Sequence, residues 1–374
     1  MVTYVPLGVF AILASFAQVP VLFTQALVVH PNLPVITLSV WLLYLNISTA
    51  INTLMWTSPD IESWNSGVGW CDLDTNVMFG GGLGLMLAAV AISLHLNYAC
   101  RPNAKPLSAK LTRCWNIADA VICFLIPATA IAVHPFTTIA RFLIVQRYGC
   151  LAVNSRNALY ILFGSALVLT IAGLLIIINA VNVIQFYQRG SQSVYQTLSF
   201  QERYSVSFFH RCLVCSMSVL ILGVPPMIYI AIQPLTSGQE MQPIPWKHGK
   251  PQNWDIILAY NWQTYWNSGN KSYLAAGAAN RAINIVLSFV AMFCFSTGSS
   301  AVGVYRRVGE KFGLMKAQIP ADLETASHRR DSITSENKQD VKFTVHLSSW
   351  ADTPTSPSFP TSSSPSRSQG SQYI

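Results

Sequence analysis

Asp119 is a carboxylate inside an apolar run from 115 to 134, and its chemistry has to be accounted for before anything else in this 374-residue chain. Ionisable groups in such runs are costly, and they pair with one another or mark a pathway. A proton or ion path needs a chain of acidic groups through the middle of the runs, and Asp119 is the one such group available. Asn46, Asn52, His95, Asn97, Asn179 and Asn182 are further polar residues at comparable depth in neighbouring runs. Their ordinary use is interhelical hydrogen bonding, worth about 0.6 kcal/mol each on average. The functional alternative is a polar lock that differs between two arrangements of the helices. Asp119 and Pro225, which stands in a Pro-Pro pair near the middle of another run, are the candidate conformational residues.

Other groupings exclude chemistry. Cys212-x-x-Cys215 has no second pair and lies in an apolar run, so it is no zinc site. Gly80, Gly81, Gly82 and Gly84 lack the following Lys-Ser or Lys-Thr of a phosphate loop and read instead as a close helix contact. No Ser/His/Asp set, metal motif or carboxylate pair occurs, and no lysine sits in the last run to carry retinal. The chain is read as a non-enzyme without metal or cofactor.

The elements that hold these residues are set by composition. Only 10% of residues are charged, against about 25% in soluble domains. Crossing a bilayer takes about 20 apolar residues, and seven runs qualify: 5–29, 35–56, 76–99, 115–134, 158–184, 209–232 and 282–304. The expectation is an all-α membrane protein, a seven-transmembrane helix bundle over 1–304. A short amphipathic juxtamembrane helix follows over 305–316, with Val308, Phe312 and Met315 at helical spacing. The Ser/Thr/Pro-rich segment 317–374 is read as a disordered cytoplasmic tail.

Lys and Arg set the orientation, because they collect in cytoplasmic loops. With the N-terminus outside, Arg101, Lys105, Lys110, Arg113, Arg189, Arg203, Arg211, Arg306, Arg307, Lys311 and Lys316 lie inside, against seven basic residues outside. The same bias explains the net charge of +8 and argues against nucleic acid. Loops 57–72, 135–157 and 233–271 then face out with Trp64, Trp70, Trp246, Trp254, Trp262 and Trp266, more tryptophan than membrane anchoring needs. Of eight cysteines only Cys71 and Cys150 fall on the oxidising side, and a disulfide between them would pin the second outer loop over the bundle. Asn270-Lys271-Ser272 is a candidate glycosylation site.

A family resemblance rests on these motifs together. His30-x-Asn32 with Trp41-Leu42, Asn46, Asn52 and Trp56 resembles the first hairpin of the fungal a-factor-type (lipopeptide) pheromone receptors, class D seven-transmembrane G-protein-coupled receptors. Trp70-Cys71-Asp72-Leu73-x-Thr75 is similar to that family's opening of the third span. Asp119 with Cys123 and Pro127, Arg141-Phe142, Gly149-Cys150, Leu198 with Arg203-Tyr204, Pro225 and Pro245-Trp246-x-His248 extend the similarity over residues 4–312. Two places depart from the family pattern: Ser296-Thr297-Gly298-Ser299-Ser300-Ala301 lacks an acidic group, and the basic motif before the sixth span is loosened around Glu202-Arg203.

The resemblance implies a plasma-membrane, multi-pass receptor for a prenylated peptide pheromone, coupled to a heterotrimeric G protein. Asp60, Glu62, Trp64, Trp70, Asp72, Arg141, Trp246 and Trp254 are the candidate ligand-binding residues. With Asp74, the acidic members make the first outer loop attractive to a basic peptide. Arg101, Lys105, Arg203, Arg211 and Arg306 are the candidate G-protein-facing residues, which anionic lipid would also attract. Membrane lipid and a homo-oligomer are the further partners considered. The alternatives are a non-signalling or constitutively active receptor-like paralogue and a seven-span transporter or channel; the latter predicts internal repeats, and none occurs.

Overall fold

The computed structural model describes residues 5–28, 31–99, 109–199, 206–236, 240–244, 246–247, 250–251, 253–267, 271–297 and 299–311. Expectations for Arg101, Lys105, Arg203, Asn270 and the 317–374 tail fall outside those residues, as do the side chains of Trp246 and Trp254. Among the described residues, seven helices are long and apolar enough to cross a membrane: α1 Pro6–Leu27, α2 Leu33–Met55, α3 Trp70–Ala99, α4 Lys110–Thr137, α5 Ala158–Gln188, α6 His210–Thr236 and α7 Lys271–Ser296. The short helix α8, Ser299–Lys311, follows.

The bounds of α7 and α8 differ from the sequence reading. Asn280 and Arg281 interrupt the hydropathy of α7, yet the helix continues through them from Lys271. Arg281 is buried there, held by a protein carbonyl, so its charge does not end the helix. At its other end α7 stops at Ser296, and α8 begins at Ser299 rather than near 305.

α3 is the central strut: 72% of its apolar window is buried, against 28% for each of α4, α5 and α6. Its glycines make this possible. A Cβ on Gly84 would lie 2.3 Å from Trp41 Nε1 of α2, and one on Gly80 would lie 2.3 Å from Ile131 Cγ1 of α4. At those positions no larger residue permits the same approach of helices, which is how small residues work in membrane bundles. The α1–α2 turn is fixed locally: Asn32 Oδ1 accepts from Val35 N–H at 3.4 Å, with Pro34 in the first turn.

Two helices are re-shaped by proline. Proline donates no N–H, and its ring collides with the carbonyl four residues earlier. In α6 a wide π turn over Val219–Gly223 precedes Pro225-Pro226, and in α4 one over Val121–Leu125 precedes Pro127. The wider turn opens the space the ring needs and places a bend there.

The second and third outer loops form a small sheet within this mostly helical chain. β1 Ala140–Val145 pairs antiparallel with β2 Gly149–Leu151 and parallel with β5 Asn253–Tyr260, in the order β2-β1-β5. A two-stranded ribbon joins β3 Trp246–Lys247 to β4 Lys250–Pro251. Successive residues of a strand face opposite ways, and β1 uses both faces. Phe142 and Ile144 pack with Trp56, Cys71 and Cys150, while Leu143 and Val145 pack with Tyr148, Leu151 and Leu274. The turn between β1 and β2 passes close to α2 at Gly149 (φ 87°), where a Cβ would lie 2.4 Å from Asn52 Cβ.

Candidate functional site

Cys71, at the start of α3, and Cys150, in β2, are joined by a disulfide across 79 residues of chain. Disulfides persist in oxidising surroundings, so this end of the bundle is the outer one. The bridge ties the sheet to α3, and other bonds fasten its margin. Arg147 N–H donates to Trp56 O at 2.8 Å, and Gln146 Nε2 donates to Ser58 O at 2.9 Å.

Several candidate ligand residues belong to this fastening. Trp64 and Trp70 pack on the disulfide cluster, and Trp70 Nε1 donates to Asn52 Oδ1 at 3.0 Å. Arg141 Nε and a terminal nitrogen donate to the two oxygens of Asp72 at 2.8 and 2.6 Å. The Asp72 carboxylate raises the Arg141 pKa above its ordinary value. Asp60 and Glu62 are exposed on the first outer loop. Asp74 is not a loop charge at all: it is buried, and it accepts from Tyr44, Ser48 and Asn52 of α2. Among the described residues two acidic groups are therefore buried, Asp74 and Asp119, rather than Asp119 alone.

Beneath the sheet lies a cavity of about 160 Å³. Its wall draws on every span except α1: Leu45 of α2, Phe79 of α3, His134 of α4, Tyr160 and Phe163 of α5, Met227 of α6, and Tyr273 and Arg281 of α7, with Tyr148 and Leu151 from the hairpin. The lining is mainly apolar and aromatic with a few polar groups, the usual make-up of a ligand site. His134 Nδ1 is held by Asn76 Oδ1 at 2.8 Å. The Arg281 guanidinium stacks 3.8 Å from the Tyr148 ring centroid and donates to the Tyr148 carbonyl. Arg281 is one of the seven basic residues that the charge count places outside, yet it is buried, and a cation embedded in an apolar run is the sequence signal of that.

The opposite half of the bundle carries a further set of buried polar groups. His95 Nε2 meets both oxygens of Asp119 at 3.1 and 2.9 Å, with Trp115 packed 5.0 Å from the imidazole. Ser93 of α3, Asn179 of α5 and Ser216 of α6 form a closed triangle: Asn179 Nδ2 donates to Ser93 Oγ at 3.2 Å, Ser216 Oγ donates to Asn179 Oδ1 at 3.0 Å, and the two serine hydroxyls bond each other. Asn182 Nδ2 adds a bond to the Ser93 carbonyl at 2.9 Å. Arg211 of α6 donates to Cys294 O and Thr297 O, each at 3.3 Å, at the C-terminal end of α7, where a cation also complements the helix dipole. Arg306, exposed on α8, is paired with Glu310 at 3.0 Å. Pro225 is exposed on the lipid side of α6, next to its π turn.

One end is thus a pinned, aromatic cap over a cavity, and the other a set of bonds between the inner halves of α3, α5, α6 and α7. Residues 6–313 match the family described as pheromone A receptor. The chain belongs to the pheromone A receptor family. It is 22% identical to the pheromone M-factor receptor of Schizosaccharomyces pombe over 257 residues, 67% of each chain. It is 21% identical to the pheromone a factor receptor of Saccharomyces cerevisiae over 282 residues, 74% of this chain and 56% of that one. To the pheromone B beta 1 receptor of Schizophyllum commune it is 27% identical over 119 residues, 32% of this chain and 21% of that one. The chain thus spans between about a fifth and two thirds of these relatives, which are all fungal pheromone receptors. Membership and the seven helices together make it a multi-pass membrane protein.

Proposed function

We propose that this pheromone A receptor family member acts in the plasma membrane, binds a prenylated peptide pheromone at its disulfide-capped end and activates a heterotrimeric G protein at the other. The observation that carries the reading is the cavity under the pinned sheet, walled by six spans and the hairpin, in a chain of this family. A ligand there touches α6 above its π turn and α7 together, so it acts on both helices that Arg211 ties at the inner end. Such a ligand shifts the equilibrium between arrangements by its difference in affinity for them, and the G protein is coupled to it reciprocally. The exposed Asp60 and Glu62 add attraction for a basic peptide.

The test is a G-protein reporter cell expressing the full chain and exposed to a panel of synthetic prenylated peptides. A dose-dependent response to a member of the panel supports the proposal. A flat response to every peptide, without basal activity and with the receptor verified at the cell surface, overturns it.

A further inference from the structure

Arg281 has a donor that none of the described residues engages. The residue is 2% exposed, one terminal nitrogen is committed to the Tyr148 carbonyl, and one face of the guanidinium is covered by the Tyr148 ring. Its Nε is buried with no hydrogen-bond partner among the described residues. Asp74 is within electrostatic range, but among the described residues no carboxylate forms an ion pair with Arg281. A buried guanidinium left in this condition is costly, and it lies on the wall of the cavity beneath the sheet.

From these groups we infer that Arg281 is a specificity-determining residue that donates to an acyl oxygen of the ligand, an ester carbonyl or a carboxylate. The inference rests on the receptor reading above and assigns the chemistry of one contact within it. Volume limits what enters. The cavity of about 160 Å³ is comparable to an engineered cavity of about 150 Å³ in another protein that holds benzene. A terminal head group of that order fills it. Phe79, Phe163 and Met227 surround the head group with apolar contacts and keep water from competing for the guanidinium. In that setting a hydrogen bond from a charged donor is stronger than one between neutral groups. A ligand lacking the acyl oxygen leaves Arg281 desolvated and unmatched, and is rejected for that reason.

The test uses the full chain in lipid nanodiscs and three probes: N-acetyl-S-farnesylcysteine, its methyl ester, and an ether analogue in which the ester C=O is replaced by CH2. Binding is read from the concentration dependence of thermal stabilisation. The wild type is expected to bind at least one acyl probe about tenfold more tightly than the ether. Preference for the acid identifies a carboxylate contact, and equal binding of acid and ester identifies a carbonyl contact. Arg281→Gln should bind all three alike. An undiminished preference in Arg281→Gln overturns the assignment, as does a wild type that does not discriminate. If Arg281→Gln does not fold, the C=O stretching frequency of whichever acyl probe binds more tightly, 13C-labelled at its acyl carbon, decides: a shift on binding wild type supports the bond, and an unshifted band overturns it. A wild type that binds none of the probes yet answers prenylated peptides in cells loses this assignment and keeps the receptor reading. One silent in both assays loses both.

Discussion

Asn52 of α2 donates its Nδ2 to Asp74 Oδ2 of α3 at 2.7 Å, while its Oδ1 accepts from Trp70 Nε1 at 3.0 Å. One buried amide thus joins two spans and orients a tryptophan of the disulfide cluster. Asp74→Ala would leave the Tyr44 and Ser48 hydroxyls and the Asn52 amide without their acceptor. Each unmatched buried donor costs about 1–3 kcal/mol, so the variant should unfold at clearly lower temperature in nanodiscs. Asp74→Asn, which retains an acceptor oxygen, should lose less. Equal stability of Asp74→Ala and wild type would show that the network carries no weight.

The disulfide is the next element to test. Removing a native bridge typically costs about 2–4 kcal/mol, here with the added release of the sheet from α3. Cys71→Ser, Cys150→Ser and the double variant should lose thermal stability by the same amount, since each breaks the same bond. Reductant should lower the melting temperature of wild type and leave the variants unchanged. Reductant-insensitive melting of wild type would contradict the bridge.

The triangle of Ser93, Asn179 and Ser216 ties α3, α5 and α6 below the π turn and prolines of α6. Residues in one network couple by about 0.5–3 kcal/mol in double-mutant cycles. Asn179→Ala and Ser216→Ala should therefore be non-additive in stability. If the triangle favours the resting arrangement, each should also raise ligand-independent reporter activity. Additive losses with unchanged basal activity would assign these residues to packing alone.

Close packing at Gly84 gives a steric prediction. A Cβ there already falls 2.3 Å from Trp41 Nε1, so Gly84→Val must separate α2 from α3 or displace the indole. Overpacking of this kind costs about 1–3 kcal/mol. Detergent-solubilised yield and melting temperature should both fall, and Gly84→Val combined with Trp41→Ala should recover part of the loss.

Much of this architecture is legible in the sequence, for physical reasons that also mark where it ceases to be. Apolar runs longer than a bilayer is thick place the spans, and the glycines of α3 sit where helices touch. Asp72 and Asp74 show the failure. Both read as loop charges when α3 is started at 76, but the helix begins at Trp70. Residues two apart on a helix do not share a face, so one meets Arg141 in the outer loop and the other is buried against α2. The sheet was illegible for a different reason. β1 is covered on both faces, so Phe142, Leu143, Ile144 and Val145 show no alternation. Its partner β5 lies more than a hundred residues away. Pairing at that distance leaves no local signal.

Arg211 carries a similar lesson at the inner end. Counted with the cytoplasmic cations, it looks like a free contact for a partner, yet it reaches the last carbonyls of α7. The absence of an acidic group near Ser300 invites attention to that region, but a basic residue 83 positions from Cys294 gives no sequence sign of bonding it. Arg211→Ala should therefore loosen α6 from α7. Limited proteolysis or hydrogen exchange at 290–297 should detect this as faster exchange than in wild type, and unchanged exchange would contradict the bond's importance.

Nucleotide exchange reads out whether the proposed lipidated peptide outside drives the proposed G protein inside. The purified full chain in nanodiscs, mixed with a heterotrimeric G protein, should accelerate GTP uptake when a prenylated peptide active in the reporter cell is added. The same peptide without its prenyl group should be far weaker, and pre-reduction of the Cys71–Cys150 bridge should blunt the response. Exchange that is indifferent to every peptide tested, by a receptor that is folded and retains its disulfide, would contradict the account.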